Sequence, residues 1–182
     1  KEALEDLLKQ CYRFVGGIDY GWNDPFCAVA GGLLSNPFIH NGEPLLLIFF
    51  ERYKSLTTLD EHATHIPKEI YGKPILWYSE HNPEAIHKLK KGGHIVKKAP
   101  KLARGNASSA IMNGILAVNR RIYNNTMLVV SNRCPAVVAE SETYIYPEKD
   151  EEVIGDKPVD KDNHAMDAMR YMISGLDIKK AV

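Results

Sequence analysis

Between Arg13 and Phe50 the sequence carries three strand-length apolar runs in succession, and this restricts the chain to folds built around a sheet. The runs are Arg13 to Ile18, Phe26 to Leu34 and Leu45 to Phe50. Asn23-Asp24-Pro25 is turn chemistry, so the first two predict an antiparallel pair with a hairpin-like connection. Asn36-Pro37 and Asn41-Gly42 punctuate the passage to the third.

The apolar period then changes. Thr58 suits an N-cap, predicting a helix that runs to about Ile70 and is stopped by Gly72. Pro74 to Tyr78 reads as a short buried strand. Asn82-Pro83 opens a second helix, with Pro at its first position, which ends at Gly92-Gly93 before a strand from His94 to Lys98. A strand–helix–strand unit of this kind is a parallel crossover. Ala107 to Arg121 predicts a helix with Ile111, Ile115 and Val118 on one stripe, followed by a turn at Asn124-Asn125 and a strand from Met127 to Ser131. Helices from Cys134 to Glu142 and from Asn163 to Leu176 flank a polar, acidic loop or hairpin over Pro147 to Asp162. A further short amphipathic helix, residues 2–10, carries Leu4, Leu7 and Leu8. The expected architecture is α/β, a mixed central sheet with helices on both faces.

The 182 residues suffice for one self-supporting core, and no apolar stretch approaches the roughly 18–20 residues of a membrane span. Cys11, Cys27 and Cys134 sit apart in apolar contexts, which suits buried thiols in a reducing compartment better than a disulfide or zinc framework. The formal net charge is zero, but its distribution is uneven. Lys88 to Arg104 holds seven Lys or Arg and no acid, whereas Glu140 to Asp162 is strongly acidic. Such asymmetry fits a polyanion-binding face beside an acidic pocket, and equally two solvated charge runs. No GxxxxGK[ST] phosphate loop is present, which removes that class of nucleotide hydrolysis.

Asp19, between Gly17 and Gly21, and Glu80 each follow an apolar strand, where open α/β sheets place their ligands. Asp167 lies on the closing helix three residues after His164, so the two share a face. Converging carboxylates repel one another unless cations neutralise them, and hard oxygen donors suit Mg²⁺ or Mn²⁺. Each acid also has a plain structural reading, as a turn former, a helix-start acceptor or a solvated helix residue. Only their common placement points to a site.

Gly16-Gly17-Ile18-Asp19-Tyr20-Gly21, the run Leu76 to Ile86 (LWYSEHNPEAI) and the run Asp162 to Tyr171 (DNHAMDAMRY) together resemble the C-terminal nuclease domain of tailed-bacteriophage large terminase subunits, over nearly the whole chain. That resemblance implies an RNase H-like fold and a two-metal endonuclease that cuts double-stranded DNA concatemers during genome packaging. It implies Asp19, Glu80 and Asp167 as ligands of two Mg²⁺ or Mn²⁺ ions, with His164 close to them. The second motif departs from the family pattern: the position that commonly holds Asp is Ser79, and the acid, Glu80, comes one residue later. Asp160, Asp162, Glu51 and Asp24 are further acids that would have to approach the site to contribute.

Lys97, Lys98, Lys101 and Arg104 are the candidates for DNA backbone contacts, since phosphate neutralisation carries no sequence requirement. Tyr20 and Trp22 flank Asp19 and suit either the substrate rim or the core; Phe49 and Trp77 suit the core. The resemblance further implies an ATPase motor in a longer chain, with residues 1–10 as linker or N-terminal helix and 11–182 as the nuclease domain. Its partners would be the small terminase subunit and the portal, and its location the cytoplasm of the infected host. Another RNase H-like nuclease, such as a junction resolvase or an exonuclease, and a noncatalytic DNA clamp are the competing readings.

Overall fold

Apolar runs without alternation are strands covered on both faces, and β2 (Phe26–Leu34) is buried along its whole length. The computed structural model describes residues 2–35, 43–100, 107–143 and 163–177. β2 pairs antiparallel with β1 (Arg13–Asp19) on one side and β3 (Leu45–Lys54) on the other. β5 (Lys73–Ser79) lies parallel to β1, and β6 (Ile95–Lys98) lies parallel to β5. β7 (Met127–Val129) extends the far edge parallel to β3, and the two-residue β4 (Glu69–Ile70) pairs antiparallel with the start of β5. The result is a seven-stranded mixed sheet of order β4-β5-β1-β2-β3-β7, with β6 on β5.

Alternate residues of the strands feed two cores. Phe14, Ile18, Phe26, Ala28 and Trp77 face one side. There they meet Leu8 of α1 (Glu2–Gln10), Ala63 of α2 (Leu59–His65) and Leu89 of α3 (Pro83–Lys91). Val15, Cys27, Val29 and Ile48 face the other. Here the cover is α4 (Ala107–Tyr123), α5 (Pro135–Thr143) and α6 (His164–Asp177). The three cysteines are buried free thiols, and Phe49 and Trp77 are core residues.

The helix expected to reach Ile70 ends at His65. Pro67 disfavours helical backbone at the residue before it, and Ile66 is accordingly extended at φ −84°, ψ 136°. Glu69 and Ile70 are thereby released to form β4. The third strand runs four residues beyond Phe50, to Lys54, because β2 continues to supply partners out to Phe26↔Lys54. Thr58 and Asn82 act as the expected N-caps, accepting from the amides of Glu61 and Ala85. Asn125 takes the left-handed conformation of the expected turn at φ 53°. The turns at Asn36 and Asn41, Tyr144-Ile145-Tyr146 and the acidic stretch Pro147 to Asp162 lie outside the described residues.

Candidate active site

Two adjacent glycines decide what can approach the first strand. A Cβ on Gly16 would stand 2.2 Å from the Trp77 ring on one face of the sheet. On the other face, a Cβ on Gly17 would stand 1.8 Å from the carbonyl oxygen of Ala168. α6 therefore lies directly on the backbone of β1, which no larger residue at position 17 would permit. This close crossing brings the first turn of α6 to the C-terminal end of β1.

Asp19 ends β1 and is 9% exposed. His164, the first residue of α6, lies against it, with Nδ1 3.0 Å from the Asp19 Oδ2. An ionised carboxylate can only accept, so Nδ1 carries the hydrogen of this pair, and in the neutral ring Nε2 is the acceptor. One turn along, Asp167 Oδ1 accepts from Nε of Arg170 at 3.1 Å and is ion-paired with Nη2 at 2.9 Å. The Arg170 guanidinium also lies over the Tyr171 ring, 4.7 Å from its centroid.

The parallel register pairs Ile18 with Ser79, so Asp19 and Glu80 are the next residues on neighbouring strands. Ser79 is fully buried, accepting from the Tyr20 hydroxyl at 3.1 Å and donating to the Glu80 carbonyl. Position 79 thus serves the hydrogen-bonding of the strand end, and Glu80 is the acid that follows it. Its carboxyl is raised by burial and by the charges of Asp19 and Asp167. Asp19 is likewise raised, first by burial and then by Asp167, against the opposing hydrogen bond from His164. His164 is raised by that same hydrogen bond. The Asp19 and Asp167 charges thus act on Glu80, and the Asp167 charge acts on Asp19.

Among the described residues, no three His, Cys, Asp or Glu side chains are grouped tightly enough to hold a metal ion. Asp19 is engaged by His164 and Asp167 by Arg170, each carboxylate taking a cationic or donor partner from the protein itself. The donor set still fits a hard divalent cation: carboxylate oxygens whose charges oppose one another are stabilised by a shared cation.

Other candidates are distributed more widely. Asp24 is exposed, and its charge reaches His164. Glu51 turns away to α5, where its two oxygens accept from the amides of Ala136 and Val137 at 3.0 and 2.8 Å. Trp22 is 55% exposed and, with Tyr20, lines a cleft of about 350 Å³ beside the strand end. Lys97 and Lys98 are exposed at the end of β6, with Lys98 level with Ser79. They line a groove of about 720 Å³ together with His81, His87 and Lys90. Lys101, Arg104, Asp160 and Asp162 lie outside the described residues. Sequence reading missed Glu140 and Tyr53. Glu140 is 6% exposed and its Oε2 accepts from the amides of Ala165 and Met166. The available signal was a single acid following four apolar residues, Ala136 to Ala139.

A mixed sheet of this order, covered by helices on both faces, defines an α/β fold. Within that class, the fold is that of bacteriophage large terminase nuclease domains. The nuclease domain of the bacteriophage SPP1 large terminase, determined with bound Mn, matches with a TM-score of 0.65 and 21% identity, covering 91% of this chain and 87% of that one. The P22 large terminase nuclease domain matches at TM-score 0.69 and 17% identity, covering 94% and 88%. The large terminase of the thermophilic bacteriophage D6E matches at TM-score 0.70 and 22% identity, covering 90% of this chain but only 40% of that one. The chain therefore spans about two fifths of the D6E protein. No protein-family model and no curated protein matches the sequence.

Proposed function

We propose that this chain is the nuclease domain of a phage large terminase, a divalent-metal-dependent endonuclease that cuts double-stranded DNA concatemers during genome packaging. The observation that carries the reading is one anionic pocket, built from Asp19, Glu80 and Asp167 with His164 on Asp19, at the strand ends of a fold shared with terminase nucleases. Asp19, Glu80 and Asp167 would hold the ions, two in number by family resemblance, and Mg²⁺ and Mn²⁺ both suit the oxygen donors. When bound, such ions lower the pKa of water and neutralise charge developing at the scissile phosphate.

The chain's own groups supply orientation and proton handling. The His164 Nδ1–H donated to Asp19 fixes one carboxylate oxygen and leaves Nε2 to take a proton at the pocket. Arg170 holds Oδ1 of the Asp167 carboxylate through one hydrogen bond and an ion pair and so restricts its rotation. Lys97 and Lys98 would bind the DNA backbone beside the acids, with Lys101 and Arg104 continuing that surface. In the full-length protein the domain would be joined to the ATPase motor and would work with the small terminase subunit and the portal, in the cytoplasm of the infected bacterium. Among the described residues, no helix is long and apolar enough to cross a membrane.

Plasmid cleavage tests the reading. With Mn²⁺ or Mg²⁺ the wild type is expected to nick and then linearise supercoiled DNA, and Asp19→Ala and Asp167→Ala to lose that activity by a hundredfold or more. Equal cleavage by wild type and both variants at every metal concentration would overturn it. Salt-sensitive DNA binding that survives in all three proteins without cleavage would mark a clamp instead. Exonucleolytic shortening of linear DNA without nicking of circles would mark an exonuclease on the same fold.

A further inference from the structure

The sheet registers lead from Asp19 to residues that the proposed chemistry does not use. Asp19 pairs with Cys27 on β2, and Cys27 pairs with Tyr53 on β3. The next row on the same face runs Gly17, Val29, Glu51. Asp19, Tyr53 and Glu51 thus share the face that α5 and α6 cover, and each reaches a helix.

Glu51 accepts from the first amides of α5, those of Ala136 and Val137. One turn later the same helix presents Glu140, whose Oε2 accepts from Ala165 and Met166 in the first turn of α6 at 2.7 and 3.2 Å. Each carboxylate satisfies two amides that have no intrahelical partner and lies at the positive end of a helix dipole. Tyr53 closes the arrangement: its ring meets the His164 ring edge-on at 6.4 Å, and its hydroxyl hydrogen-bonds the Glu140 carboxyl. The last helix of this series carries His164 and Asp167.

We propose that Glu140 is a positioning residue of the active site, which, braced by Tyr53 and by Glu51 through α5, holds the first turn of α6 so that His164 and Asp167 face Asp19. In this role Glu140 would touch neither ions nor substrate. It acts through two backbone amides on either side of which the site residues stand, His164 before them and Asp167 after. The alternative arrangements of a helix N-terminus are numerous because its amides can be met by water. A buried carboxylate that must accept from them, or remain unpaired, permits few. Burial raises the Glu140 carboxyl, and the hydrogen bonds from Tyr53, Met166 and Ala165 oppose that rise. The role rests on the nuclease reading for its purpose but not for its geometry.

Two measurements on the metal-free protein and one on its loading test this. In the wild type, the ¹⁵N resonances of His164 are expected to report the Nδ1–H tautomer donated to Asp19. Glu140→Ala is expected to fold, to lose that signature in favour of the Nε2–H form of a free imidazole, and to bind Mn²⁺ about 10–100-fold more weakly by calorimetry, the loss usual for a removed outer partner. Glu140→Gln keeps an acceptor oxygen for both amides and is expected to restore the signature and most of the affinity. A folded Glu140→Ala protein with unchanged His164 resonances and unchanged Mn²⁺ affinity would overturn the role. Should Glu140→Ala fail to fold, Tyr53→Phe decides: a shifted His164 signature supports the proposal and an unshifted one overturns it. Wild type that binds no Mn²⁺ yet shows the tautomer and its loss in Glu140→Ala would sink the nuclease reading while leaving the positioning role standing.

Discussion

At the scale of single residues, the site depends on what is missing at position 17. Asp19 and Asp167 lie 148 positions apart in the chain and meet because the Ala168 carbonyl rests where a Gly17 side chain would be. Gly17→Ala adds one methyl group against backbone, which cannot move aside as a flexible side chain can. Overpacking of this kind costs about 1–3 kcal/mol, and here it would lift α6 from the strand. Urea denaturation is expected to show a loss in that range. Cleavage by the folded variant is expected to fall further than its stability explains, through a weakened hold on metal. Wild-type stability in Gly17→Ala would show that α6 lies farther from β1 than its backbone position indicates. Glu80 makes a related point. Ser79 stands at the position where the motif leads one to expect an acid, and the Tyr20 hydroxyl donated to it gives that serine a role that the sequence does not display.

Among the elements, α6 is fixed at both ends by charge and in the middle by apolar packing. Its first turn is held by Glu140. Its last residue, Asp177, accepts from Nε and Nη2 of the buried Arg121 at 2.6 and 2.7 Å. Nη1 of Arg121 also donates to the carbonyls of Pro44 and Thr126 at 3.2 and 3.1 Å, tying α4 and α6 to the entry of β3. Removing one partner from a buried pair leaves an uncompensated charge, so Asp177→Ala is expected to cost about 3–5 kcal/mol in denaturant unfolding. A loss below about 1 kcal/mol would show that water replaces the carboxylate. The strands and most helix starts were legible because their signals are local: continuous apolar runs, Thr58 and Asn82 as caps, Pro83 at a first helical position. The early end of α2 was also written locally, in Pro67. The capping of α5 and α6 was not, because Glu51 and Glu140 act across 85 and 25 positions of sequence.

For the molecule as a whole, net charge says nothing about partners, since 23 basic and 23 acidic residues cancel. Their placement is informative. β6 sets Lys97 and Lys98 beside the end of β5, next to the acids, and His81, His87 and Lys90 line the same groove. If DNA lies along it, changing Lys97 and Lys98 together to Gln should reduce the salt slope of binding by about one per lost contact, about two in all. Binding should weaken alike on unrelated sequences. An unchanged slope would take these lysines off the DNA surface and leave the path to other cations.

By itself, the sequence determined most of the elements and the mixed sheet and nominated the acids, because hydrophobic period, caps and strand-end positions are short-range properties of the chain. Tertiary structure alone decided that β1 admits a helix on its backbone and that His164 takes Asp19. It also decided that Glu51 is a cap rather than a pocket acid and that Glu140 braces the helix bearing His164 and Asp167. Those outcomes depend on which of many compatible partners a side chain reaches, and that choice is made by the packing of elements distant in sequence.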